Sequence, residues 1–85
     1  MEVERVLKAL ANERRIKILC YLKSEKEASV GDIAENIKLS FRSTSKHLGI
    51  LIAAEVVKKE QRGLEVFYRI LNPRHPFILY VTSIL

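Results

Sequence analysis

The sequence predicts a small, mainly helical α+β domain, with five helices and a two-stranded hairpin in one chain of 85 residues. Three observations carry this. Apolar residues recur at helical spacing in four successive segments up to about Ala54. Two short runs rich in Val, Phe, Tyr and Ile then change to a strand-like pattern. The last segment returns to helical spacing but is apolar on nearly every side. A chain of this length holds one domain, spanning 1–85, whose core is close to the lower limit of independent stability, so burial through self-association is expected.

The elements follow in order. Val3, Val6, Leu7 and Leu10 lie at i, i+3, i+4 and i+7, one face of a short first helix. Asn12 caps a second helix, with Glu13 suited to its positive N-terminal end and Lys23 to its other end. Ser24 to Ala28 reads as a loop. Ser29, with Asp32 three residues on, opens a third helix that turns Val30, Ile33, Ala34 and Ile37 inward. A break of three residues, Lys38 to Ser40, leads to a fourth helix from about Phe41 to Ala54, with Thr44, Leu48 and Leu51 as its buried stripe and Ile52 at the margin of that stripe. Val56 to Gln61 and Leu64 to Ile70 form the hairpin, with Arg62 and Gly63 between them as the turn. Leu71 to Pro76 is a turn region containing both prolines. The final helix, carrying Phe77, Tyr80, Val81 and Ile84, must be covered on more than one side. Either it folds back onto its own domain, or a second copy covers it. The simpler source of cover is the second copy, which gives a two-fold interface built from Val3, Val6, Phe77, Tyr80, Val81 and Ile84.

Composition and charge narrow the function classes. A hydrophobic fraction of 48% with 29% charged residues is that of a globular protein. No apolar run approaches the roughly 18 residues needed to cross a bilayer, so the expected location is cytoplasmic, with no membrane partner. Residues 1–37 balance seven basic against seven acidic side chains, whereas 38–85 hold eight basic against three. The net charge of +5 therefore lies wholly in the second half, which suggests one face for a polyanion. The single cysteine, Cys20, sits among apolar neighbours and reads as a core residue.

Helix, helix, helix, tight turn, helix, hairpin is the order of a winged helix-turn-helix, in which the fourth helix is offered to the major groove of DNA. Three segments also resemble one family. Leu7-Lys8-Ala9-Leu10-Ala11-Asn12-Glu13-Arg14-Arg15-Ile16-Lys17-Ile18-Leu19 is similar to the opening of the ArsR/SmtB-type regulators. Leu39-Ser40-Phe41-Arg42-Ser43-Thr44-Ser45-Lys46-His47-Leu48 resembles their recognition helix, and Arg62-Gly63 followed by Phe67-Tyr68-Arg69-Ile70 their wing. The resemblance implies a homodimeric, usually repressing, regulator of transcription that binds double-stranded DNA.

On that basis Arg42 is the candidate for a bidentate contact to guanine, and Ser43 and Ser45 for base edges or phosphates. Lys46 suits a phosphate. Ser40 caps the helix and shares its hydroxyl with a phosphate, and Phe41 either packs on a thymine methyl or tucks into the protein. Arg62, expected at the wing tip, is the candidate to reach the minor groove or the flanking phosphates, with Lys59 in support. His47 is expected to be partly buried against a backbone carbonyl. Three departures from the pattern stand out: Lys38 occupies a turn position that often holds Gly, Gly49 a helix position that often holds Lys, and Phe41 a groove-face position that commonly holds Gln.

Members of that family that sense metals often carry a Cys-Val-Cys-like element in the third helix or Asp and His ligands in the last. Here the third helix has no cysteine and the last offers His75 alone, so no metal, and no cofactor, is expected, with an intersubunit site that uses His75 and an acid from elsewhere left open. No catalytic constellation is present, and an enzyme is not expected. A small-molecule or protein effector stays open. The competing reading is a winged-helix module that binds protein rather than DNA, and Phe41 is the one feature that leans towards it.

Overall fold

The computed structural model describes residues 2–84. Its elements are α1 (Val3–Leu10), α2 (Glu13–Glu25), β1 (Ala28–Ser29), α3 (Val30–Ile37), α4 (Phe41–Ala53), β2 (Val57–Arg62), β3 (Glu65–Ile70) and α5 (Pro76–Ser83). This is a winged helix-turn-helix, with α3 and α4 as the motif and β2–β3 as the wing.

Local chemistry sets the helix starts as the sequence predicts. The side chains of Asn12, Ser29 and Ser40 accept hydrogen bonds from the amides of Arg15, Asp32 and Ser43, and so begin α2, α3 and α4. Pro76 occupies the first turn of α5, where its missing N–H costs nothing, and the Nδ1 of His75 accepts from the Phe77 amide at 3.1 Å.

The helix ends are less regular. Lys38 closes α3 in the left-handed region at φ 57°, where glycine would be unstrained. The Leu39 amide then reaches back to the Ala34 carbonyl at 3.0 Å and fixes the tight turn into α4. Lys26 and Glu55 also adopt positive φ after α2 and α4. Each such non-glycine residue costs on the order of 1 kcal/mol.

The core forms around α2, where Ile18, Leu19 and Leu22 are inaccessible to solvent. They pack with Val6 of α1, Ile33 of α3, Leu48 and Leu51 of α4, Val57 and Ile70 of the wing, and Ile78 of α5. Thr44 is the one buried polar residue among those described, and its hydroxyl donates to the Ser40 carbonyl at 2.8 Å.

Three details differ from the sequence reading. Ser24 and Glu25 belong to α2 rather than to a loop, and Ala28–Ser29 adds a short third strand, giving the order β1-β3-β2. Two residues are too few to leave a period-2 signature in the sequence. The hairpin turn is Gly63–Leu64, so Arg62 ends β2 and is paired with Glu65. Gly63 at φ 64° sits first in the turn, where a two-residue hairpin favours glycine.

Candidate nucleic-acid interface

Helix α4 offers solvent a face rich in donors. Burying Thr44, Leu48 and Leu51 leaves Phe41, Arg42, Ser45, Lys46 and Gly49 exposed and Ser43 half-buried, with Ser40 exposed at the cap. No Asp or Glu occurs from Asn36 to Ala54, and among the described residues Arg42 and Lys46 make no ion pair. Their charge is uncompensated, and Arg42 lies in the first turn, where the free amides of the helix already favour anions. The Ser40 Oγ accepts from Ser43, which leaves its proton free for an external acceptor.

His47 lies at the edge of this face. Its partner is not a backbone carbonyl but the guanidinium of Arg15, whose Nη1 lies 3.3 Å from Nδ1. The same guanidinium donates to the carbonyls of Ala9 at 2.6 Å and Lys8 at 3.2 Å, so Arg15 ties the last turn of α1 to α4. Desolvation, and then the nearby charges of Arg15, Arg14 and Lys46, push the His47 pKa down. A guanidinium can only donate, so this contact requires Nδ1 as acceptor, and the lowered pKa favours the neutral ring with its proton on Nε2. Nothing in the sequence pairs residues 15 and 47, so this contact was not legible there.

In the wing, side chains three apart point to opposite faces of the sheet. Lys59 is paired with Tyr68, and Tyr68 and Val66 line one depression with Phe41 and Ser45 of α4, so Lys59 stands on the face turned towards α4. Arg62 stands on the other face. There its guanidinium makes a two-pronged contact with Glu27 at 2.6 and 2.7 Å, bonds Glu60 at 2.8 Å and lies 4.8 Å from the centre of the Phe67 ring. Those hydrogen bonds, Glu27 first and Glu60 second, raise the Arg62 pKa further and hold both carboxyls below their usual range. The residue that does sit at the wing tip is Leu64, which is fully exposed.

A second surface lies on α1 and α5. Val3, Leu7, Leu79, Tyr80 and Ile84 are all more than 40% exposed, and Leu7, Leu10, Ala11, Phe77, Tyr80 and Val81 line a shallow apolar groove of about 300 Å³. Val6 does not belong to it. The side chain is wholly buried in the core of its own protomer and offers a partner no surface. The i+3 spacing from Val3 identified its helix face, but that face is divided between inside and outside, with Val6 buried and Val3 exposed.

The residues do not fit a metal centre. Among those described, no three His, Cys, Asp or Glu side chains gather, and His75 uses Nδ1 to cap α5. Cys20 is half-buried, its thiol directed at the Thr82 carbonyl at 3.7 Å, and burial raises its pKa.

Comparison with known proteins agrees with this geometry. The model of the family "bacterial regulatory protein, arsR family" matches residues 12–59, from the α2 cap to the middle of β2. The chain belongs to the ArsR family. Transcriptional activator HlyU of Vibrio cholerae is 41% identical to this ArsR-family chain over 63 residues, which are 74% of the chain and 57% of HlyU. Transcriptional repressor SdpR of Bacillus subtilis is 41% identical over the same length, covering 74% of the chain and 69% of SdpR. The chain thus spans little more than half of HlyU and about two thirds of SdpR. Among solved structures, a homodimeric winged helix-turn-helix DNA-binding domain from Mycobacterium bovis superposes with a TM-score of 0.81 at 31% identity, covering 95% of this chain and 71% of that one. Reduced HlyU from V. cholerae gives 0.79 at 32% identity, covering 98% and 83%. The ArsR family is one of regulators rather than enzymes, and no helix among the described residues is long and apolar enough to cross a membrane.

Proposed function

We propose that this ArsR-family domain is a sequence-specific, DNA-binding transcription regulator that acts in the cytoplasm as a homodimer, with α4 in the major groove. The observation that carries the reading is the carboxylate-free face of α4, on which Arg42 and Lys46 have no ion-pair partner among the described residues and Arg42 stands in the first turn, where the helix amides also attract anions. Arg42 reads a base edge, Ser43 and Ser45 bond bases or phosphates, and Ser40, Lys46 and Lys59 hold the backbone. Phe41, 63% exposed, supplies an apolar contact. Arg62 acts by positioning the wing against Glu27 rather than by touching phosphate from the tip.

The apolar surface of α1 and α5 supports the two-fold arrangement, with Val3, Leu7, Phe77, Tyr80, Val81 and Ile84 as the contacts. A helix that leaves Leu79, Tyr80 and Ile84 in water loses burial worth up to roughly 1.5–3 kcal/mol per large apolar side chain, which a second copy restores. Two α4 helices related by a two-fold axis then match half-sites one helical turn apart.

Fluorescence anisotropy with a mixed-sequence duplex tests the reading, at about 50 and 200 mM salt, alongside mass in solution. A dimer whose affinity falls by roughly 10³ or more over that range makes six or more phosphate contacts and supports it. A dimer with no affinity at low salt would turn the search towards a protein partner.

A further inference from the structure

Away from α4, the C-terminal end of α2 and the chain between β3 and α5 enclose a depression of about 360 Å³. Its floor is apolar, made by Leu22 and Ile70 from the core and by the half-exposed Leu71. Its rim is cationic. Lys23, Lys26 and Arg69 all line it, and no carboxylate does.

Among the described residues these charges have no ion-pair partner, and Glu27 and Glu60, the carboxylates nearest Arg69, whose pKa values it helps to lower, are both engaged by Arg62. Lys23 bonds only the Thr82 hydroxyl, at 3.2 Å. Arg69 is in direct register with Lys58, a like-charge pair of the kind that destabilises a sheet. Lys26 joins the rim through a backbone held at φ 74°, a strained conformation for a lysine and one that tends to persist where it serves a site. Three cations gathered over an apolar floor repel one another in the empty protein, and an anion with an apolar body relieves that repulsion while covering the floor.

We propose that this depression binds a small amphipathic organic anion, a carboxylate or sulfonate carried on a short aliphatic chain or a single ring. The acid group sits among Lys23, Lys26 and Arg69, and the body lies on Leu22, Ile70 and Leu71. The volume, at the small end of ligand sites, excludes long acyl chains. The site touches α2, which packs on α5, and β3, one strand of the wing. The binding itself does not depend on the proposed function.

The test is a titration of the intact protein with hexanoate and with benzoate, followed by amide shifts in two-dimensional NMR without DNA, with hexanamide as the neutral control. The expected result is saturable shifts at Lys23, Lys26, Ile70 and Leu71, with a dissociation constant in the millimolar range or tighter. The neutral amide should bind at least about tenfold more weakly, a difference of about 1.4 kcal/mol. The double variant Lys26→Glu, Arg69→Glu, whose sites are both exposed, should keep the native spectrum elsewhere and lose the shifts. Equal binding of hexanamide, or shifts confined to the groove of Leu7, Phe77 and Tyr80, would overturn the proposal. So would displacement of hexanoate by a short duplex that moves the same four amides, since the rim would then belong to the DNA footprint.

Discussion

Arg42 and Lys46 on α4 face solvent with no ion-pairing carboxylate among the described residues, whereas Arg62 on the wing is held by Glu27 at 2.6 Å and by Glu60 at 2.8 Å. Both regions look basic in sequence. They differ in what surrounds the charge. A cation already satisfied by two carboxylates must give them up before it can take a phosphate, whereas one facing only water exchanges its shell and releases condensed counterions from the DNA. The count of basic residues alone therefore overstates the free charge of the wing relative to that of α4.

The largest expected effect breaks the stronger half of that comparison. Replacing Arg42 and Lys46 together by alanine should lower affinity for duplex DNA by at least about 100-fold at fixed salt. The slope of log affinity against log salt should also become shallower by about 1 for each phosphate that the variant no longer neutralises. Anisotropy at several salt concentrations measures both. If Arg62→Ala cost as much as this pair, the contrast between helix and wing would be wrong.

Releasing the wing cation sharpens the comparison from the other side. Glu27→Gln combined with Glu60→Gln removes both partners of Arg62 and leaves its charge free. The variant should bind mixed-sequence DNA several-fold more tightly, with a salt slope steeper by about 1 per protomer. An unchanged slope would mean that Arg62 faces away from the phosphates even when unpaired.

A smaller effect concerns the join between α1 and α4. The folded pKa of His47 is depressed, first by desolvation and then by Arg15, so the unfolded chain takes up a proton there before the folded one does. Stability from this group is fully present above its ordinary value of about 6.5 and is lost as pH falls through the lower folded value. The carboxyls of Glu27 and Glu60 are also depressed in the folded state, but they act only in more acid solution, below their ordinary values of about 4.5. Denaturant melts of wild type and His47→Gln between about pH 7 and 5.5 should show a decline in the wild type that the variant flattens. Parallel declines would place the proton uptake elsewhere.

The smallest effect is on Gly49, mid-helix on the exposed face of α4, where an added Cβ meets nothing within 4 Å. Gly49→Ala should stabilise the fold by roughly 0.5–1 kcal/mol and leave the salt slope of DNA binding unchanged, since it adds no charge. A loss of affinity without loss of stability would show that the helix backbone approaches DNA closely at this point.

The sequence by itself determined the order of the elements, the three polar caps, the buried stripe Thr44–Leu48–Leu51 and hence the outward face of α4. All of these follow from interactions within a few residues of one another, and a period of 3.6 or 2 records them in the chain. The left-handed residue at Lys38 was legible only through the family resemblance, in which that turn position often holds Gly. Tertiary structure alone decided that Arg62 is spoken for by Glu27, 35 residues away, and that Arg15 reaches His47 across 32. It also decided that Val6 lies inside the core while Val3 on the same helix lies outside. Sequence spacing gives the face of an element, but not the angle at which that face meets its neighbours or which distant side chain arrives there, and those two quantities fixed which charges remain free.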